Sequence, residues 1–327
     1  MTRPPPGTSV EARLYDLRGS DRSIDLLAEP PKRIRDDQLL WVDVAGRDAD
    51  TLRAIVDALG LRAATAELLA TPRRRALLRR HDAYVHLGLR SAQPADDGGL
   101  EVVGLDLVVA PNVVMTVRDG SVEAFDRFRE EIDDLTQVGA LDAATFTAAI
   151  VDAILAGYLL QVEDLERRID TLDEHALRAR NPVSVIDELA SLRGRAATLR
   201  RGLAPHRQAF AALARPDFEL HEKLGRPWPG LLERLDAALS TVETARDLLI
   251  GTYDLVMTRV AQRTNDTVKT LTVVSVMLLP ASLVSSVLGM NFQLPLFDDA
   301  NNFWWAVGAM ALLMAVTLVI AAVRDRQ

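Results

Sequence analysis

The chain has 327 residues, of which 49% are hydrophobic and 26% charged, which excludes a disordered or collagen-like polymer and leaves room for one large domain or two ordinary ones. Its formal charge of −8, from 46 acidic against 38 basic residues, argues against a general nucleic-acid binder, whose affinity rests on neutralising phosphates. With no cysteine it has no disulfide framework, thiolate metal site or cysteine nucleophile.

In chain order, Met1 to Gly7 carries three prolines and one arginine and no apolar run, so no signal peptide is expected and the bulk of the chain is placed in the cytoplasm. Four short runs, Leu39 to Val44, Ala83 to Arg90, Leu105 to Ala110 and Asn112 to Arg118, are β-branched or alternate in polarity between Gly, Asp and Pro punctuation. They read as strands. Between the first two, Leu52, Ile55, Val56, Leu59, Leu68 and Leu69 recur at helical spacing across Asp50 to Leu69, so residues 1–120 are expected to form an α/β domain with a small sheet. After Gly120 the period changes to 3.6, and Ile150, Ile154, Tyr158, Val162, Leu165, Ile169 and Leu172 form the apolar stripe of a long amphipathic helix. Asn181-Pro182 ends it. A second helical run to about Leu213, bounded by Arg215-Pro216, is expected to pair with the first as a hairpin within residues 121–229.

From Gly230 to Leu279 no proline interrupts 50 residues, and a continuous helix there would reach ~75 Å at 1.5 Å per residue. Its last part enters Leu271 to Leu288, 18 residues without a charge, and Phe303 to Val323 adds 21 more. The second stretch spans ~31 Å as a helix, against a hydrocarbon core of ~30 Å. Both read as membrane-crossing helices, and the mean hydropathy of +0.07 averages them with a charged body. Pro280 is expected to kink one span, because a neighbouring helix or serine can satisfy the freed carbonyl. Arg259, Arg263 and Lys269 precede the first span, Arg324 and Arg326 follow the second, and no Lys or Arg lies between. The positive-inside rule then puts both termini in the cytoplasm, leaving outside the loop of residues 292–302 with Asp298 and Asp299. Residues 324–327 form a short tail. Trp304 and Trp305 stand where an interfacial anchor is expected.

Chemistry-bearing motifs are scarce. The glycine-rich phosphate loops and the H-E-x-x-H pattern are missing, so no enzyme and no cofactor is expected. His81, His86, His175, His206 and His221 lack the i, i+4 spacing of a metal pair and read as surface or structural residues. Arg73 to Arg75 with Arg79 and Arg80 read as a solvated helix face, with contact to lipid headgroups as the other reading. On the first span, Ser275, Ser282 and Ser286 fall in one stripe with Asn265, Val268, Leu271, Leu279 and Gly289 at steps of three or four residues. The face is mildly polar and free of carboxylates. Small and hydroxyl residues also suit helix packing, so packing and pore lining both stay open. A pore lined by one two-span chain would need several copies around an axis.

The tripeptide Gly289-Met290-Asn291 closes this span, with Thr264-Asn265 at its base, Leu271-Thr272 and Leu279-Pro280 within it and Phe292 after it. In these residues the chain resembles the CorA-type divalent cation transporters. The resemblance extends through Trp41-Val42-Asp43, Arg79 to Arg90, Pro111-Asn112 to Arg129 and Thr241 to Asp247. It implies an α+β fold: a homopentameric funnel of cytoplasmic α/β domains, a stalk helix over residues 230–291 continuing into the pore-lining span, and an outer ring of second spans over residues 303–323. It also implies a selectivity motif, Gly289, Met290 and Asn291, with Asn291 as the ring that accepts a hydrated cation and Gly289 permitting the turn. The family's inner pore positions fall on Asn265, Val268, Leu271, Leu279 and Ser282. Met is usual where Val268 and Leu279 stand, and Thr where Ser282 stands. Beyond the motif, Gln293 and Leu294-Pro295-Leu296 replace the family's usual acids, which are delayed to Asp298 and Asp299. The carboxylate of the family's inter-subunit sensing site falls on Gly230, so the regulatory metal is unassigned, with Glu233 the nearest candidate. The expected function is uptake of a divalent cation, magnesium first and cobalt or nickel with it, driven by membrane potential across a plasma membrane. The partners are the cation, lipid and further copies of the chain. A ZntB-type zinc transporter coupled to protons is the alternative within the family. A membrane-anchored scaffold or sensor without a pore is the alternative outside it.

Overall fold

Alternation along β3 (Gln38–Ala45) organises the N-terminal part of the protein in the computed structural model. With a side-chain period of two, Leu40, Val42 and Val44 point to one face and Leu39, Trp41 and Asp43 to the other. The first set is buried with Leu52, Ile55 and Val56 of α1 (Ala49–Ala58) and Ala66 and Leu69 of α2 (Ala63–Ala70) in one apolar cluster. The second set meets rings: Trp41 lies 6.1 Å from Phe125 of α3 (Glu123–Asp133) and 5.4 Å from Phe146 of α4 (Ala143–Arg178). The sheet is therefore a middle layer between helices. It also contains β1 (Ser9–Asp16), β2 (Arg22–Ser23), β4 (Leu77–Arg80), β5 (Val85–Pro94), β6 (Leu100–Ala110) and β7 (Val113–Arg118), in the order β2-β1-β3-β7-β6-β5-β4. β3 and β7 pair in parallel, from Leu40 opposite Val113 to Ala45 opposite Arg118, and the other neighbours are antiparallel.

The structure describes residues 8–31, 33–72, 76–96, 98–133, 142–178, 182–215, 228–289 and 300–324. The remaining helices are α5 (Pro182–Leu203), α6 (His206–Leu213), α7 (Trp228–Leu288) and α8 (Ala300–Arg324). The chain forms two compact units, Met1–Thr252 and Tyr253–Gln327, the boundary falling within α7.

Three departures from the sequence reading have physical causes. The run read as one helix over Asp50 to Leu69 is two. Gly60, at φ +64, stops α1, its N–H donating to Asp57 while that of Leu61 donates to Val56, the paired bonds of a Schellman ending. Strands β1 and β4 were passed over: they are poorer in apolar residues than the four runs read as strands, and β4 is only four residues long. Glu11 and Arg13 lie on the less buried side of β1, and Arg79 and Arg80 on the sheet's last strand. Those two arginines thus sit on an edge strand and not on a helix face; Arg73 to Arg75 lie outside the described residues. The β6–β7 turn is better signposted. Pro111 fixes φ near −65° and Asn112 takes φ +59°, the pairing a type II turn needs.

Charges inside the sheet are paired. Asp106 accepts from His86 Nε2 at 2.8 Å and from Arg47 at 2.8 Å, and all three are buried. Burial alone would raise the Asp106 pKa, but the hydrogen bond and charge of His86, with those of Arg47, hold it below the ordinary carboxylate value. Asp43 accepts from the Thr116 hydroxyl at 2.6 Å and meets Arg118 and Arg129 at 3.3 and 3.2 Å.

The long helices pack by heptads. Buried positions advance by alternating steps of four and three along α5, at Val185, Leu189, Leu192, Ala196, Leu199 and Leu203. They do the same along α7, at Leu231, Leu235, Ala238, Val242, Ala245, Leu249, Thr252 and Val256. Asp152 of α4 pairs with Arg234 of α7, and Asp173 of α4 accepts from Thr252 at 2.6 Å, so α4 and α7 run parallel.

Candidate functional site

The candidate site begins where the packed seam of α7 stops. At 61 residues α7 is about 90 Å long, and no described residue after Val256 is buried. From Ala261 to Thr270 every residue is exposed. The threonines here satisfy themselves: the hydroxyls of Thr264, Thr267, Thr270 and Thr272 each donate to the carbonyl four residues back, at 2.8–2.9 Å. Below the span, therefore, the helix needs no other element to complete these hydrogen bonds.

Within the uncharged run, exposure has a direction. The half-buried residues are Val273, Met277, Pro280, Ala281 and Val284, which fall on one side of α7. Asn265, Val268, Leu271, Ser275, Leu279, Ser282 and Ser286 are all exposed, and at about 100° per residue their mean direction lies roughly 180° from that side. The predicted stripe is thus brought together on a single face, and it is the face the chain itself leaves uncovered. Leu271 and Leu279, at 66% and 67% exposure, are among its most open apolar side chains. In α8 the half-buried positions Val307, Met310, Met314 and Thr317 likewise share one side, whereas Trp304 and Trp305 are exposed. The half-buried face of α7 was not picked out by the sequence reading. Its residues, Val273, Met277, Pro280, Ala281 and Val284, are ordinary apolar ones that nothing in the run sets apart.

Pro280 lies inside α7, and its missing N–H leaves the Val276 carbonyl without the usual partner from residue 280. Gly289 ends the helix with its N–H donating to Ser285 at 3.0 Å. Its φ is not left-handed, so its value here is clearance: a Cβ would come within 3.3 Å of the Ser285 carbonyl oxygen. Met290, Asn291, Asp298 and Asp299 lie outside the described residues, as do Gln293 and His221. Glu233 is exposed, and among the described residues no three His, Asp or Glu side chains converge as a metal site.

Length and apolarity alone do not single out α7. Ala143–Ala176 of α4 is also long and apolar enough to cross a membrane, yet 61% of its most apolar window is buried inside the soluble unit, against 0% for Trp228–Val287. The first is a core helix, whereas the most apolar window of the second has no buried residue within its own chain. In α8 the stretch Val307–Thr317 is apolar throughout.

This arrangement is matched among known proteins. The family model of CorA-like Mg2+ transporter proteins fits residues 36–321, from β3 through most of α8. The chain belongs to that family. It is accordingly a membrane transporter of divalent cations and not an enzyme. It is 23% identical over 287 residues to the cobalt/magnesium transport protein CorA of Thermotoga maritima, covering 86% of this chain and 81% of that one. It is 24% identical over 229 residues to the zinc transport protein ZntB of Yersinia enterocolitica, covering 66% of this chain and 65% of that protein. The solved structure of the CorA magnesium transporter from Methanocaldococcus jannaschii superposes with a TM-score of 0.82 over 98% of both chains at 16% identity, which establishes the shared fold.

Proposed function

We propose that the chain forms a homopentameric channel that admits magnesium, with cobalt or nickel as further cargo, down the membrane potential through a pore lined by the α7 stripe. The observation that carries this reading is the opposition of the two faces of α7. The side left open by the chain holds Asn265, Ser275, Ser282 and Ser286 with Val268, Leu271 and Leu279, and further copies around an axis would turn that side into a lining.

The side-chain chemistry suits the cargo. Magnesium sheds water reluctantly, so rings of amides and hydroxyls that hold a hydrated ion serve it better than a tight carboxylate cage. Asn291, with both donor and acceptor groups on its amide, is the proposed ring at the outer mouth, completed by Gly289 and Met290. Asp298 and Asp299 would draw cations to the outer loop. The excess of Arg and Lys flanking the two spans supports a cytoplasmic Met1–Thr252 unit and cytoplasmic termini, with the spans in the plasma (inner) membrane. Moving a divalent ion inward gains ~4.6 kcal/mol per 100 mV, so no nucleotide is needed. Glu233 is the remaining candidate for a regulatory metal ligand.

Zinc transport coupled to protons is the second reading, favoured by the relation to ZntB and by the replacement of the family's usual acids with Gln293 and Leu296. Purified protein in liposomes, loaded with metal-sensitive dye and given a potential, decides. Magnesium influx that cobalt and nickel compete with, independent of a pH gradient, supports the first reading. Zinc influx that collapses without the gradient supports the second, and a tight vesicle with no metal flux would return the protein to scaffolding or sensing.

A further inference from the structure

Of the nine buried positions of α7, Trp228 opens the seam against Phe210, seven are Leu, Ala or Val, and the ninth is Thr252. An apolar heptad seam specifies its register weakly, because a slip replaces one aliphatic contact by another; a single polar residue at a seam position fixes register at some cost in stability. Thr252 has the partner such a role requires. It is 6% exposed, and its hydroxyl lies 2.6 Å from Asp173 Oδ1 on α4. A second tie between the two helices, Asp152 with Arg234, joins two half-exposed side chains about 30 Å away along the helices, where solvent weakens an ion pair.

The same hydroxyl also lies 3.1 Å from the Leu248 carbonyl oxygen of its own helix. It has one proton for two acceptors. Thr241, Thr244 and Thr258, on either side of it, donate only backward along α7, at 3.1, 3.1 and 2.8 Å. Thr252 can therefore give its proton to Asp173 and hold α7 to α4, or return it to Leu248 as its neighbours do and let α7 go. Neither state leaves a buried donor unpaired. Asp173 is exposed, so water serves it when the bond is broken.

We propose that Thr252 and Asp173 are a register lock, which fixes where along α4 the helix α7 is held and whose release lets α7 move by about a turn. This rests on the reading of α7 as the pore-lining helix. The stripe from Asn265 to Ser286 belongs to the same helix, so a slip at Thr252 shifts Leu271 and Leu279 along the proposed pore. Thr252 and Asp173 are positioning residues and touch no ion.

The test exploits the absence of cysteine from the chain. Full-length protein carrying Glu163→Cys and Leu248→Cys, spin-labelled and diluted with unlabelled copies, reports the α4–α7 distance by double electron–electron resonance. Thr252→Val, nearly isosteric and apolar, should shift the ratio of registers toward a second one, displaced by about one turn, by roughly 2- to 12-fold, the equilibrium range of one net hydrogen bond. Thr252→Ser and Asp173→Asn, which keep a donor and an acceptor respectively, should restore the single distance, and Asp173→Ala should behave as the valine variant. The thermal midpoint of Thr252→Val should stay level or rise, since the seam becomes wholly apolar. A single wild-type distance in both Thr252→Val and Asp173→Ala overturns the lock. A lowered midpoint in Thr252→Val with an unchanged distance also overturns it, making the bond an ordinary structural one. Magnesium flux from the same preparations separates the two readings. Wild-type flux with no second distance in the variants fells the lock alone, and a second distance with no wild-type flux upholds the lock and fells the transport reading.

Discussion

The two units of this protein treat burial in opposite ways. In Met1–Thr252 several buried side chains find partners inside the chain: Trp41 among Phe125 and Phe146, Asp106 between His86 and Arg47, Asp43 with Thr116, Arg118 and Arg129. In Tyr253–Gln327 the apolar side chains are laid open, Leu271, Leu279, Leu283 and Leu312 each at 66–68% exposure. The second leaves these side chains uncovered within its own chain, and the proposed pore rests on that open face.

The sharpest way to break the contrast is to change each unit at its most committed residue. Asn291→Ala removes the amide proposed to receive the hydrated ion, and one substitution acts at every position of the ring. Uptake into liposomes should fall to the background of empty vesicles while the oligomer, measured by light scattering, stays intact; wild-type uptake would make the motif structural here. The next largest effect is expected in the soluble unit. Asp106→Ala strips His86 and Arg47 of their shared carboxylate while both stay buried, and removal of one partner from such a group costs about 3–5 kcal/mol. The thermal midpoint should drop steeply. A wild-type midpoint would show that water replaces the carboxylate.

Leu279→Ser tests the opposite expectation in the second unit. A ring of leucines closes a pore by excluding water, and a hydroxyl in its place lowers the cost of wetting. Stability and assembly should be unchanged, because Leu279 has little burial to lose within its chain, whereas basal magnesium leak should rise severalfold. An intact oligomer with unchanged leak removes Leu279 from the gate. Loss of assembly favours packing over pore lining. Cysteine reporters at Ala300 and Arg326 sharpen the same comparison: the first should react with a membrane-impermeant reagent from outside and the second only from inside, and the reverse pattern would overturn the orientation.

How much of this was legible in the sequence follows from how local each signal is. The four expected strands lie at β3, β5, β6 and β7, because valine and leucine runs between turn residues need no tertiary information. β1 carries a short alternation of its own, Val10, Ala12 and Leu14 against Glu11 and Arg13, which the sequence reading passed over; pairing along the whole of β3 makes Ser9–Asp16 a strand. The stripe on α7 was visible as a periodicity, but its opposition to the half-buried side was not, since Val273 and Val284 are chemically indistinguishable from Val268. Thr252 was hidden for another reason. A threonine in a helix with many threonines carries no mark until Asp173, 79 residues away, is seen beside it.

The smallest predicted effect is a pH dependence confined to the soluble unit. His206 is buried at the start of α6. Its Nδ1–H donates to the Leu203 carbonyl at 3.2 Å, and its Nε2 accepts the backbone N–H of Arg90 on β5 at 3.0 Å. Both ring nitrogens are thus used in the neutral form, and a second proton would break the tie between α6 and the sheet. Burial lowers its pKa from 6.5 to about 4, outweighing the nearby Leu203 and Gly202 carbonyls, while the Arg90 charge lowers it further. The protonated form therefore favours the unfolded chain. The stabilisation is complete above about pH 6.5, is lost as pH falls from there to about 4, and changes no further below that. By pH 5 the loss from this residue is on the order of 2 kcal/mol, read as a fall in the thermal midpoint between pH 7 and pH 5. His206→Gln, which keeps a donor and an acceptor without a titratable ring, should start from a lower midpoint and flatten that fall. A variant whose midpoint falls as steeply as wild type would assign the acid sensitivity to another group and leave His206 as packing alone.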